Sequence, residues 1–180
     1  MEIFYVTSND GKFLEASKLL PALKKLSLNL EEVQSLDPVE IAKNKALSAI
    51  KQTGAENLVV DDVSIYLEAF DYKLPGPLIK WFLLSIGSKG IWDTAKKFKK
   101  YGAFAVCTLC YADKRGKIKV FTGKVKGKVV KSNINSNKSW DYIFMPEGEV
   151  KTFAQMSLSE KNKISHRGIA IQKLKKYLRI

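Results

Sequence analysis

One histidine in 180 residues is the first constraint on what this chain can do. Cysteine is nearly as scarce. There are two, Cys107 and Cys110, both inside AFAVCTLCY. A zinc site of the usual kind draws four ligands from Cys, His and carboxylates, and the pair C-x-x-C has no second pair to join. AFAVCTLCY reads as a strand, and residues three apart on a strand face opposite ways. The two thiols are therefore expected as separate, buried, small hydrophobes. Any metal must then be held by carboxylates, which points to magnesium rather than zinc. No apolar run reaches the roughly 18 to 20 residues of a membrane span, and the chain opens without a signal-peptide pattern. No membrane partner and a cytoplasmic location are expected. Acids are outnumbered, 18 against 31 Lys and Arg, for a net charge of +13. Such an excess suits polyanions, or simply solvates helix faces such as KKFKKY at 96–101.

What is present is enough apolar material, 46% of residues, for a real core. No repeat, long linker or low-complexity tail interrupts it, so one domain over 1–180 is expected. Strands are expected over 3–7, 27–32, 58–60 with a continuation over 64–70, 103–112 and 117–130, the last two as a hairpin turning at 113–116. Helices are expected from Lys12 to about residue 20, over 40–52, 78–86 and 91–100, and from near Ser165 to the end. Loops are expected over 35–39, 74–77 and 132–138. Strands and helices alternate early and a hairpin follows. The class is mixed α/β.

Several clusters could carry chemistry. Thr7-Ser8-Asn9-Asp10-Gly11-Lys12 joins a strand to a helix. Hydroxyls, a carboxamide and free N–H groups at a helix start can hold phosphate, and the same residues can be mere caps. Val59-Val60-Asp61-Asp62 delivers two carboxylates at the end of an apolar strand, where open α/β sheets place ligands. Glu31 or Glu32 could complete a magnesium site with them. Lys45 shares the helix face of Ala42 and Ala49, and Lys80 sits in apolar PLIKWF. Each either meets an anion or snorkels. Arg167 continues the stripe of Ile171, Leu174 and Leu178 into the first turn of the last helix. A cation there opposes the helix dipole, so a ligand or a carboxylate must compensate it.

These pieces occur together and in order. VTSNDGK at 6–12, VVDD at 59–62, LPGPLIKWF at 74–82, SWDYIFMPEG at 139–148 and KTFAQMSLSEKNKISHRG at 151–168 resemble the inosine/xanthosine triphosphate pyrophosphatase family, in its archaeal and eukaryotic form. The resemblance spans nearly the whole chain, and the last stretch is the most specific. It implies an elongated α/β fold with a long mixed sheet, flanking helices and two lobes enclosing a substrate cleft. It implies Mg²⁺-dependent cleavage of ITP, dITP and XTP to the monophosphate and pyrophosphate, usually by a homodimer.

The resemblance also implies roles. Thr7, Ser8, Asn9 and Lys12 fall in the phosphate-binding turn. Asp62 matches the metal ligand and general base, and Glu32 the second metal-binding acid, with Glu31 its alternative. Lys45 and Lys80 match lysines that contact the triphosphate. Trp140 and Asp141 match the base-pocket segment, and Lys161, His166 and Arg167 match residues that contact the base. The chain departs from the pattern at Ser8, where Gly is common, at Val63, where Ser or Thr follows the Asp, and at Lys138-Ser139, where Phe-Gly precedes the Trp. Two other readings compete. One is a Maf-like pyrophosphatase acting on pyrimidine or modified nucleotides. The other is a basic nucleic-acid-binding protein, for which an acidic pair such as Asp61-Asp62 is an odd feature.

Overall fold

The computed structural model describes residues 2–113 and 115–180. A seven-stranded sheet forms its spine, ordered β2-β1-β3-β5-β6-β7 with a short β4 on β3. The strands are β1 (Ile3–Val6), β2 (Leu23–Leu26), β3 (Leu58–Leu67), β4 (Pro75–Gly76), β5 (Gly102–Ala112), β6 (Ile118–Val129) and β7 (Phe144–Pro146). β1 runs parallel to both neighbours, and the other pairs are antiparallel. The helices are α1 (Asp10–Leu19), α2 (Pro38–Thr53), α3 (Ile79–Phe98), α4 (Leu158–Ile164) and α5 (His166–Leu178). No helix among the described residues is long and apolar enough to cross a membrane.

Two ends of the sheet carry separate cores. At one end α1 and α5 cover one face through Ala16, Ala170, Ile171 and Leu174. On the opposite face Ala42, Ala46 and Ala49 of α2 lie against Val60 and Cys110. At the other end α3 packs Ile79, Leu83 and Ile91 onto Ile65, Leu67 and Ala105. β3 and β5 cross from one core to the other: Val59 and Leu109 belong to the first, Ile65 and Ala105 to the second. That is the two-lobed mixed sheet expected from the sequence. Cys107 and Cys110 are buried on opposite faces, as their spacing required.

Several boundaries differ from the sequence reading, each for a physical reason. The second strand is Leu23–Leu26, not 27–32. Lys24 and Lys25 are exposed along this edge strand, which hides its apolar alternation. The acids at 61 and 62 lie inside one continuous β3, not at the end of a short strand. Buried cations neutralise them there, so the strand need not stop. The two helices expected over 78–86 and 91–100 are both present as the halves of α3, which meet at a kink at Gly87 with φ 66°, a left-handed value glycine adopts without strain, and the second half starts before residue 91. α2 starts at Pro38 because Asp37 caps it by accepting from Val39 N at 2.8 Å. The 74–77 loop pairs briefly with β3 through Pro75 and Gly76. α4 was not anticipated, although Ser157 and Glu160 form a capping box that marks its start. The β5–β6 hairpin stands as expected, but Lys114 of its 113–116 turn lies outside the described residues.

Candidate active site

A cleft of about 630 Å³ lies between the two lobes. Asn9, Lys12, Glu32, Lys45, Asp62 and Val63 are among its lining, as are Lys80, Trp140, Asp141, Lys161, His166 and Arg167. Of the residues expected at the site, Thr7 and Ser8 are not among its lining. Thr7 Oγ1 accepts from Asn9 N at 3.1 Å and so shapes the turn locally. Asn9 is the N-cap of α1, its side chain accepting from Lys12 N at 3.0 Å. A larger groove of about 970 Å³ runs across α1, α4 and α5, but no carboxylate lines it. It therefore offers no acid–base pair, and the chemistry belongs to the smaller cleft.

The pleat of β3 sends its two aspartates to opposite faces. Asp62 turns toward α2, where Lys45 Nζ lies 3.2 Å from its Oδ1. Lys45 Nζ is also 3.0 Å from Glu32 Oε1. Glu32 sits in an irregular segment between β2 and α2, and Gln34 of the same segment accepts from Trp81 Nε1 of α3 at 2.9 Å. The cleft thus gathers Glu32 rather than Glu31. Burial raises the Asp62 carboxyl above the ordinary value, against the pull of Lys45 and Lys12. Partial burial opposes the charge on Glu32 too, but Lys45, then Lys80 and Lys12, hold it below the ordinary carboxylate range. Burial works against the Lys45 ammonium, and Asp62 and Glu32 outweigh it, keeping Lys45 firmly charged.

Two carboxylates converging on one cationic atom are the donor set of a hard divalent ion. Among the described residues no group of three or more His, Cys, Asp or Glu could hold a metal by themselves. Magnesium tolerates this, because it commonly takes one or two carboxylates and fills the remainder with water and substrate phosphates. The residues fit such an ion.

The other part of the cleft is an ion-pair network built around Asp61. Asp61 lies on the α1/α5 side of the sheet, where Lys12 Nζ is 3.1 Å from its Oδ1. Arg167 Nε and Nη2 both donate to Asp61 Oδ2, at 3.1 and 3.0 Å. Arg167 Nη1 donates to Glu15 Oε2, and Lys161 Nζ to Glu15 Oε1 at 2.5 Å and Asp141 Oδ2 at 2.6 Å. Asp61 and Glu15 are the carboxylates that the helix-dipole argument required for Arg167. Burial disfavours charge on Asp61, yet Lys12 and Arg167 hold its carboxyl well below the usual range.

Glu15 was missed in the sequence. Its signal was spacing: it stands one turn after Lys12 on α1, so both face the same way. The network is seated by Gly123 of β6, where a Cβ would fall 1.9 Å from His166 O. Only glycine lets the start of α5 lie so close to the sheet.

His166 is 2% exposed, with Trp140 5.4 Å and Phe153 5.8 Å from its ring centre. Its Nδ1 has no hydrogen-bond partner. Burial, reinforced by Arg167 and Lys161, depresses its pKa well below the ordinary imidazole value, so the ring is neutral. Trp140, which the resemblance placed in the base-pocket segment, is largely packed away. Phe144, Phe153 and His166 surround the indole, and 6% of the residue is exposed. It forms a wall of the cleft. Lys138 and Ser139 line the cleft beside it.

The fold and the cleft define a class: a mixed α/β protein whose cleft carries two acids sharing a lysine in one part, and a neutral buried ring beside charged donors in the other. The chain belongs to the Ham1 family, whose model matches residues 3–177. It is 39% identical to the inosine triphosphate pyrophosphatase of Kluyveromyces lactis, covering 98% of this chain and 95% of that one. A HAM1 protein from Coxiella burnetii superposes with a TM-score of 0.82 at 22% identity, over 99% of both chains. A nucleoside-triphosphatase, dITP/XTP pyrophosphatase, from Mycobacterium abscessus superposes with a TM-score of 0.71 at 25% identity, over 99% of this chain and all of that one.

Proposed function

We propose that this protein cleans the nucleotide pool, hydrolysing ITP, dITP and XTP to the monophosphate and pyrophosphate. The observation that carries the reading is the convergence of Asp62 and Glu32 on Lys45 in the cleft that also holds neutral His166. Relatives named for inosine triphosphate and dITP/XTP point to the same substrates.

In this reading Asp62 takes a proton from a water, and the water oxygen forms a bond to the α-phosphorus. The bond from that phosphorus to the bridging oxygen breaks, and pyrophosphate leaves. Lys12, Lys45 and Lys80 offset the charge that develops on it. Glu32 and Asp62 would hold Mg²⁺, which supplies further charge neutralisation and polarises the phosphoryl group. Asn9 faces the phosphates from the start of α1, with Thr7 shaping the turn behind it, and Val63 sits beside the base catalyst.

The base lies against the wall that Trp140 and His166 form together, their rings packed on each other with centres 5.4 Å apart. Arg167 spends three of its five N–H donors on Asp61 and Glu15 and keeps two. Lys161 keeps one of three donors after Glu15 and Asp141. Donors match the 6-oxo group of a deaminated purine. The 6-amino group of adenine would leave them unpaired, at about 1–3 kcal/mol per buried group. The same reading takes the chain as one catalytic domain, working as a cytoplasmic homodimer, on the strength of the sequence resemblance.

Hydrolysis of ITP in ¹⁸O-labelled water tests the reaction. The label is expected in IMP, with unlabelled pyrophosphate. Orthophosphate and IDP as products would overturn the proposal.

A further inference from the structure

Thr108 of β5 stands directly across from Asp62 in the β3–β5 ladder. Directly opposed residues of an antiparallel pair project to the same face, with Cβ atoms about 4.5–5.5 Å apart. Thr108 is 1% exposed, and its Oγ1 has no hydrogen-bond partner. Buried polar groups are nearly always bonded, because an unpaired one retains the full cost of leaving water. Valine would fill the same space in a strand without that cost. The hydroxyl therefore calls for a partner that reaches it in another state of the site.

Two residues with acceptor oxygens stand directly across from Thr108, Asp62 on β3 and Thr122 on β6, and of the two only Asp62 lines the cleft. Its Oδ1 is engaged by Lys45, and its Oδ2 by Ser64 Oγ alone, at a long 3.4 Å. Ser64 is fully buried on the same face. A carboxylate oxygen has room for more than one donor. Lys45 also lines the cleft, where an entering triphosphate offers it a far larger negative charge than one carboxylate.

We infer that the Thr108 hydroxyl is a positioning group for Asp62. When a triphosphate draws Lys45 away, Thr108 joins Ser64 in donating to the freed carboxylate and holds it aimed into the cleft. Neutral hydroxyls orient a base without cancelling its charge, as an ammonium would. The inference rests on the assignment of Asp62 in the proposed function.

The test is steady-state hydrolysis of ITP with Mg²⁺ by full-length Thr108→Val, Thr108→Ala, Thr108→Ser and Asp62→Asn, with thermal melting of each. Val and Ala are expected to lower kcat about ten- to hundred-fold, the range of one hydrogen bond to a charged group, with KM within about twofold of wild type. Val is expected to melt no lower than wild type. Ser is expected to restore kcat to within about threefold. If Val fails to fold, Ala carries the comparison. Wild-type kcat in Val or Ala overturns the inference. So does a Ser variant as impaired as Val, because the methyl group and not the hydroxyl would then matter. An active Asp62→Asn would overturn the base assignment itself. An inactive Asp62→Asn beside a fully active Thr108→Val would sink only the role of Thr108.

Discussion

Arg167 and Asp61 form a buried ion pair, two guanidinium nitrogens resting on one carboxylate oxygen at 3.1 and 3.0 Å. The side chains are 5% and 2% exposed. The pair ties the first turn of α5 to the middle of β3 and so sets where His166 and Arg167 meet the cleft. Removing one charge of a buried pair leaves the other uncompensated, which costs about 3–5 kcal/mol. Glu15 remains as a second counter-charge for Arg167, so Asp61→Asn is expected to lose roughly 2–4 kcal/mol. Urea denaturation at pH 7 measures it, and a loss within about 0.5 kcal/mol would contradict the account.

The same pair has a pH signature. The folded pKa of Asp61 is lowered from 3.8. Its contribution is present above the unfolded value and is lost as pH falls through the folded one. Wild type is expected to lose stability with acid below about pH 4 more steeply than Asp61→Asn, in denaturation curves taken at successive pH values.

His166 predicts a separate slope. Its folded pKa lies well below 6.5, so below that pH the unfolded state binds the proton that the folded state refuses. Stability must fall as pH drops from 6.5, by at most about 1.4 kcal/mol per unit from this one group. His166→Phe should flatten the curve between pH 5 and 6.5. An unchanged slope would mean that the ring accepts a proton in the folded protein.

Much of this architecture was legible in the chain. The hairpin of β5 and β6, the small-residue face of α2 and the helix after Ser165 all follow from periodicity and caps. Many of the cleft residues were legible as residue types at their positions, though Glu15 was not. Their partnerships were not. Lys12 reaches Asp61 across 49 residues and Arg167 reaches Glu15 across 152, and no local pattern encodes such distances. The continuity of β3 through Asp61-Asp62 was hidden for the same reason, since the cations that neutralise those acids come from α1, α2 and α5. The burial of Trp140 was not legible either, because it comes from packing by Phe144 and Phe153.

Glu15 bridges Lys161 and Arg167, so under the proposed function it sets the direction of the donors offered to the base. Glu15→Gln keeps the shape and removes the charge. It is expected to lower kcat/KM for ITP about tenfold or more while leaving the low rate on ATP little changed. An equal loss on both nucleotides would assign Glu15 to folding alone.

The thiols give a quick check on the sheet. Cys107 and Cys110 are buried on opposite faces, and burial pushes the Cys110 pKa up to about 12 and the Cys107 pKa higher. Neither should react with a thiol reagent at pH 8 in the folded protein, and both should react in guanidinium. Rapid labelling of the native chain would show that β5 opens readily.

The most direct measurement of the central claim is kcat/KM for pyrophosphate release from ITP, XTP, GTP and ATP with Mg²⁺, for wild type and Asp62→Asn. The account predicts fast release from ITP and XTP, rates at least about tenfold lower on ATP, and near-complete loss in the variant. Equal rates on all four nucleotides would contradict the role given to Lys161, His166 and Arg167, and an active Asp62→Asn would contradict the role given to Asp62.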